Sequence, residues 1–431
     1  MNCNIKTFKI NITPPIGNVL CGGLHGPSKY KETDLHFRGV ILTFDEKPIV
    51  IGALDFCLLD NESHAQMTKT IADAAGTDLE KVSVHTVHQH DVPLVDEWTH
   101  KLLDKYDVHL SDWNYWEEVL KNTDQAIRKL SSEAGTEITH YNISKSKVFQ
   151  FASNRRIKTK NGMQWRATKC QDKKLKSYAT GKIDPYLRQC SFYDTNQELI
   201  VSLNFYATHP QVANNRDAIS DDAPGYALRQ MESAFPKAFH VYFNGCGADL
   251  GNAKYASPDR EEDIQVFGTK LFHAMKRCQQ EIKLKPLDKI EWISHSFPVP
   301  IKEVKKTKEE LEAIITSKDC SSVEKYISGL NLNVLEKGIK EYPFKVSSLK
   351  LPDSRMMFLP AEMFIEYQIY CQSIMKDEEL LVAAYGDGFL AYIPQDEDFE
   401  WGGYELNEDW NWVKPGIEKL LKEELTKFCK Q

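Results

Sequence analysis

The 431-residue chain has no pair of cysteines at Cys-x-x-Cys spacing; its ten cysteines, Cys57, Cys170, Cys246 and Cys371 among them, are scattered. That distribution excludes a cysteine-based zinc knuckle and a dense disulfide framework, and it predicts reduced thiols in a cytoplasmic protein. Long apolar runs are missing as well, so stable membrane insertion is not expected. Met1-Asn2-Cys3-Asn4-Ile5-Lys6 leads straight into the strand-like Thr7-Phe8-Lys9-Ile10-Asn11-Ile12, without the basic and apolar regions of a signal peptide. A basic excess is absent: 54 Lys and Arg face 62 Asp and Glu, a formal charge of −8. Neutralising phosphates needs a basic surface, so nucleic acid is not an expected partner. With no internal repeat, low-complexity tract or Pro/Ser-rich linker, residues 1–431 read as one continuous domain.

With 42% hydrophobic and 27% charged residues, the chain can bury a large core. Phe37 to Phe44 and Pro48 to Cys57 alternate as two strands joined by an Asp45-Glu46-Lys47 turn. A helix from Ser63 to Ala75, with Asn61 as N-cap, delivers the chain to the strand Val82-Ser83-Val84-His85-Thr86-Val87, as in a parallel βαβ unit. Trp116, Val119, Leu120, Ala126, Ile127 and Leu130 share one helical face over Trp113 to Ala134. Further strands are expected at Leu187 to Tyr193, Leu199 to Tyr206, Phe239 to Phe243, Ile290 to Pro298, Lys345 to Leu351, Met356 to Leu359 and Leu380 to Tyr385. Helices are expected at Asp259 to Ile282, from Pro360-Ala361-Glu362 through Met375, and from Pro415 to Phe428. The pattern is that of an α/β fold with mixed and parallel central sheets covered by helices. The charged stretch 302–342 reads as a helical insertion.

The histidines stand where strands run out. Successive side chains of a strand alternate in direction, so an extended Val87-His88-Gln89-His90 would put His88 and His90 on one face. Two imidazoles on one face supply part of a metal shell, which needs about three or four protein ligands; hydrogen-bonded strand-end histidines are the equally simple alternative. His209 follows the strand ending at Tyr206. Gly22-Gly23-Leu24-His25-Gly26 reads as turns near the surface, and Gly245 to Gly251 as a turn whose N–H groups could approach a ligand. It lacks the Lys-Ser/Thr of a P-loop, which excludes that form of nucleotide site. Between Asn154 and Lys182 ten basic residues accompany the single acid Asp172. Such a stretch is either a solvated loop or a surface that attracts an anionic substrate.

These segments, taken in order, resemble the neutral (alkaline, non-lysosomal) ceramidase family. Val87-His88-Gln89-His90-Asp91-Val92-Pro93 matches the family's Thr-His-Thr-His-Ser-Gly-Pro at both histidines and the proline. Ala207-Thr208-His209 and Ile219-Ser220-Asp221-Asp222-Ala223-Pro224-Gly225-Tyr226-Ala227 match its next two segments, and Pro360-Ala361-Glu362 its Pro-Gly-Glu. Tyr392 and Tyr404 resemble its late tyrosines. The resemblance runs from Ile12-Thr13-Pro14-Pro15 to Tyr404. It departs at Gly247-Ala248-Asp249-Leu250-Gly251-Asn252, where the family serine is absent, and at Asn154-Arg155-Arg156-Ile157. The chain also ends where ceramidases continue into a sandwich domain.

Carried over, the resemblance implies a neutral-ceramidase-like catalytic domain with Zn2+ held by His88, His209, Glu362 and Tyr392. His90 would assist proton transfer, and Arg155 and Tyr404 would stabilise the developing oxyanion. The implied activity is zinc-dependent hydrolysis of an amide, or an ester, in a small polar molecule, neutral or anionic. Two other functions fit the same residues: a zinc enzyme acting on a sugar or sugar acid, with Trp98, Trp165 and Trp401 as stacking surfaces, and a non-catalytic binding protein that keeps the fold.

Overall fold

The computed structural model describes residues 3–431 except 45, 46 and 169, together with all side chains in that range but those of 260 and 261. Three sheets of four or five strands follow one another along the chain, beside smaller two-stranded pairs. In the first, β1 (Cys3–Asn11), β2 (His36–Thr43), β3 (Ile49–Leu54), β4 (Val82–Thr86) and β5 (Thr136–Ile138) lie in the order β5-β1-β2-β3-β4. In the second, β6 (His140–Lys147), β7 (Tyr186–Tyr193), β8 (Leu199–Tyr206), β9 (Phe239–Asn244) and β10 (Lys285–Pro286) lie in the order β9-β8-β7-β6-β10. In the third, β11 (Glu291–Pro300), β12 (Glu341–Leu351), β13 (Ser354–Phe358) and β14 (Glu379–Ala383) lie in chain order.

Each sheet contains one parallel pair, β3/β4, β8/β9 and β13/β14. A parallel pair needs a crossover, and a helix supplies each one: α1 (Asn61–Ala75), later α4 (Asp222–Ala234) and α8 (Ile365–Ile374). The longer helices between and beyond them are α2 (Glu97–Asp104), α3 (Trp113–Ser132), α5 (Arg260–Cys278), α6 (Lys308–Thr316), α7 (Ser322–Lys337) and α9 (Ile417–Cys429). The three pairs back onto a shared core in which Val40, Ile51, Leu203, Phe243, Met356 and Leu381 are buried. Burying one such side chain contributes roughly 1.5–3 kcal/mol, which locks the sheets together. Among the described residues no helix is long and apolar enough to cross a membrane.

The hairpin expected over Phe37 to Cys57 is present as the antiparallel pair β2/β3; its Asp45-Glu46 turn lies outside the described residues. The helix expected to begin at Pro360-Ala361-Glu362 begins at Ile365 instead. Glu362 N donates to Ala391 O at 2.9 Å, and Glu362–Met363 pairs in parallel with Tyr392–Ile393. Pro415 likewise precedes α9, because Gly416 at φ +99° turns the chain before the helix starts at Ile417. In the Gly22 to Gly26 segment Leu24 and Gly26 are exposed as expected, but Gly22 and Gly23 are buried: with φ of +62° and +95° they fold inward, and a Cβ on Gly22 would press on Leu94 at 3.3 Å.

The stretch 302–342 lies between two neighbouring strands, β11 and β12, over residues 302–340, while Glu341 and Tyr342 already belong to β12. Its helices α6 and α7 each start with a capping box, Thr307 with Glu310 and Ser321 with Glu324. At Gly329, α7 comes so close to α2 that a Cβ would lie 2.9 Å from Leu103. This contact seats α7 over the carboxyl ends of the parallel strands.

Candidate metal centre and active site

Ligands in sheet-based folds gather beyond the carboxyl ends of parallel strands, and here those ends converge. His88 follows β4, His209 follows β8, Glu362 follows β13, and Tyr392 lies on the segment after β14. The straight strand that would align His88 with His90 does not persist. β4 stops at Thr86 and His88 has φ +68°, a left-handed conformation rare outside glycine. The two rings still meet, with centroids 4.9 Å apart, because the chain turns there. Ala361, Tyr385 and Ala391 also have positive φ, at +61°, +60° and +53°. Four of the twelve non-glycine residues with positive φ among the described residues thus lie at or beside the candidate ligands, where strained backbone often marks a functional site.

His88 Nδ1 donates to Cys57 O at 2.7 Å, and His209 Nδ1 donates to Gly247 O at 3.2 Å. Each ring therefore carries its hydrogen on Nδ1, leaving both Nε2 atoms with bare lone pairs. Those two Nε2 atoms face each other at 3.1 Å, and a Glu362 carboxylate oxygen stands 3.2 Å from His88 Nε2. All three residues are at most 4% exposed. Two lone pairs and a carboxylate so close repel one another unless a cation lies between them. These two edges match those of a tetrahedral zinc site, in which bonds of about 2.0–2.1 Å put ligand atoms about 3.3 Å apart. His90 is within reach too: one ring nitrogen from each of His88, His90 and His209 lies within 4.8 Å of the others. Tyr392 stands in direct parallel register with Glu362. Burial, reinforced by the Glu362 carboxylate, pushes its phenol well above the ordinary range. Burial also pushes His90 and His209 well below the ordinary imidazole range, which keeps both neutral.

Arg155 is buried, and its Nε donates to Glu405 Oε1 at 2.7 Å. Its guanidinium sits among the rings of Trp165, Tyr392 and Tyr404, at 5.7, 5.8 and 5.9 Å. Tyr404 stacks on Trp165 with ring centroids 5.1 Å apart. Although burial pushes it upward, Glu405 is held below the ordinary carboxylate range by Arg155 and by Arg156, whose Nη1 donates to Oε2 at 2.7 Å.

His88, His90, His209, Glu362, Tyr392, Arg155 and Tyr404 all line one cavity of about 440 Å³. Neither a family model nor a curated protein sequence matches the chain. Solved structures do. That of neutral ceramidase from Pseudomonas aeruginosa superposes with a TM-score of 0.73 over 100% of this chain and 75% of that one, at 12% identity. A ceramidase complexed with C2 gives the same values. The chain has the neutral ceramidase fold.

Within this ceramidase-like fold several contributors had no signal in the sequence. The carbonyls of Cys57 and Gly247 set the histidine tautomers, and a backbone carbonyl leaves no trace in residue type. The Gly245–Gly251 turn works in the opposite sense to that expected: it offers a carbonyl to His209. Its glycine is needed because a Cβ on Gly247 would lie 1.9 Å from Thr208 O. Tyr385 stacks on His88 at 4.3 Å. Of the three tryptophans read as stacking surfaces, Trp165 lines the cavity, joined by Trp410, whereas Trp98 packs on Phe389 and Trp401 lies beneath Lys158. The basic stretch is in part a solvated loop, with Lys160, Lys173 and Lys174 exposed, and in part engaged with the rest of the protein. Arg156 and Lys158 pair with Asp398 and Glu397, Lys182 with Glu366, and the Arg166 side chain is buried; Lys169 lies outside the described residues.

Proposed function

We propose that the chain is a zinc-dependent hydrolase of amide, or ester, bonds. The observation that carries this reading is the pair of bare Nε2 atoms, 3.1 Å apart and flanked by a buried carboxylate. His88, His209, Glu362 and Tyr392 would hold the ion, a borderline-hard N/O set suited to zinc. Bound there, zinc supplies Lewis acidity that polarises a carbonyl and acidifies a water. His90, neutral and directed at the same space, takes the proton of the attacking water and returns it to the leaving nitrogen. Arg155 is held charged by Glu405, and the Tyr404 phenol is kept protonated by burial; both donate toward the carbonyl oxygen as it gains charge.

The cavity also informs the substrate class. Of the basic residues that suggested a small anionic substrate, Arg155 and Arg156 are buried on Glu405, and Lys158 and Lys182 pair with Glu397 and Glu366. Leu24, Leu58, Leu94, Ile327, Leu330 and Phe389 line the cavity. An amide carrying an apolar group on one side of the scissile bond fits that lining better than a small polar molecule. Residues 302–342, a helical insertion in a domain spanning the chain, would form the wall for that group through α7.

The first test is elemental analysis of the purified protein, followed by amide and ester panels on the zinc-loaded form. One zinc per chain with chelator-sensitive hydrolysis supports the reading, and a protein that takes up no zinc refutes it. Tyr404→Phe should keep its zinc but lose turnover by roughly 10²-fold, the cost of one oxyanion donor. Undiminished turnover would remove Tyr404 from the mechanism. Ile327→Asp should raise KM for amides with an apolar substituent by roughly 10-fold or more while kcat holds, since even a methylene is worth about 1–3 kcal/mol in such a pocket. An unchanged KM would show that α7 does not meet the substrate.

A further inference from the structure

We propose that Cys21, Cys57 and His90 form a second metal site in the wall of the same cavity, for a soft, thiophilic d10 cation such as Cd2+ or Cu+. One ligand atom from each of the three residues lies within 4.8 Å of the other two. The thiols are 1% and 3% exposed, both line the cavity, and their sulfurs are 3.3 Å apart. His90 Nδ1 is buried and makes no hydrogen bond within the described residues.

The arrangement is built by the backbone. Cys21 N donates to Val92 O and Cys57 N to Pro93 O, both at 2.8 Å. The segment that carries His90 therefore holds both cysteine backbones, and the three ligands are fixed in relation to one another. Cys21 itself has φ +48°, in the inward turn completed by Gly22 and Gly23.

Distance favours a bridging cation over a bond between the sulfurs. Two thiolates on one tetrahedral zinc, with bonds of about 2.3 Å, stand about 3.8 Å apart, so the pair need open by only about 0.5 Å. A disulfide of about 2.05 Å would require closure by about 1.2 Å. Chemistry sorts the two sites as well: two sulfurs and one imidazole select softer ions than the His88, His209, Glu362 and Tyr392 set. Binding releases the thiol protons and leaves the fourth position facing the cavity. An ion held there occupies the lone pair that His90 needs to carry a proton, so a soft metal at this site inhibits hydrolysis.

The test titrates the purified wild type and variants with Cd2+ alone, under anaerobic reducing conditions, and follows the ultraviolet thiolate-to-cadmium charge-transfer band. Wild type should show a saturating band, Cys21→Ser/Cys57→Ser should lose it, and His88→Ala/His209→Ala should keep it. The last arm separates this site from the hydrolytic one, whose failure would leave the band intact. A band that survives in the double serine variant would place the ion on other thiols, such as the neighbouring Cys371 and Cys429, and overturn the proposal. Absence of a band in wild type would do the same. A readout free of variants is alkylation by iodoacetamide mapped by mass spectrometry: Cd2+ should slow labelling of Cys21 and Cys57 in wild type, and unchanged labelling overturns the site.

Discussion

Replacing both facing imidazoles, in His88→Ala/His209→Ala, is expected to abolish stoichiometric zinc and to lower hydrolysis by roughly 10³-fold or more, because a Lewis-acid ion supplies several kcal/mol of charge stabilisation. The size follows from the geometry. Each Nε2 is aimed at its counterpart by a hydrogen bond from Nδ1 to a backbone carbonyl, so the lone pairs are preorganised before any ion arrives. Removing both leaves Glu362 and Tyr392, two oxygen donors insufficient for a tetrahedral site. Elemental analysis beside circular dichroism separates loss of metal from loss of fold. Full zinc content in the folded double variant would sink the assignment of these histidines as ligands.

The largest effect on stability is expected at Glu405, which no reading of the sequence singles out. It is fully buried and accepts from both Arg155 and Arg156 at 2.7 Å. Removing one member of a buried ionic cluster leaves charge uncompensated in a low dielectric, at a cost of about 3–5 kcal/mol. Glu405→Gln keeps the shape and removes the charge, so urea denaturation should show a loss of that order. A change below about 1 kcal/mol would mean that solvent already screens the cluster. The pH dependence has a definite sign. The folded-state pKa of Glu405 is depressed, so its contribution is present above the unfolded carboxylate pKa of about 4.3 and is lost as pH falls through the folded value. Wild type should therefore lose stability on acidification below about pH 4 more steeply than the Gln variant. Because Arg155 sits among the cavity rings, the same substitution should also lower turnover.

The local character of the chain is written in its sequence because strand alternation, helical faces and turn residues act over short range. Leu199 to Tyr206 is a strand with the expected bounds, β3, α1 and β4 form the expected parallel unit, and α1 ends on Gly76 in the left-handed conformation. The placing of His88 and His209 beyond strand ends follows from the same local rules, and the ordered resemblance to ceramidases supplied Glu362, Tyr392, Arg155 and Tyr404. Local rules misjudged segments whose backbone is held from afar. Glu362 became part of a two-residue strand because Tyr392–Ile393 lies beside it, and His88 left the strand direction where its N–H bonds to Phe56 O.

What the sequence determined by itself is the α/β alternation and the kinds of side chain that stand at strand ends. Tertiary structure alone decided that three parallel pairs, one from each sheet, turn those ends toward a single cavity. It also decided that two carbonyls bare the facing nitrogens, that Glu405 draws Arg155 and Arg156 inward, and that α7 closes over the site. The physical reason is range: His88 and His209 are 121 positions apart and Arg155 and Glu405 are 250 apart. Hydrophobic periodicity, propensity and turn chemistry act over a few residues, whereas these contacts exist only once the sheets have packed.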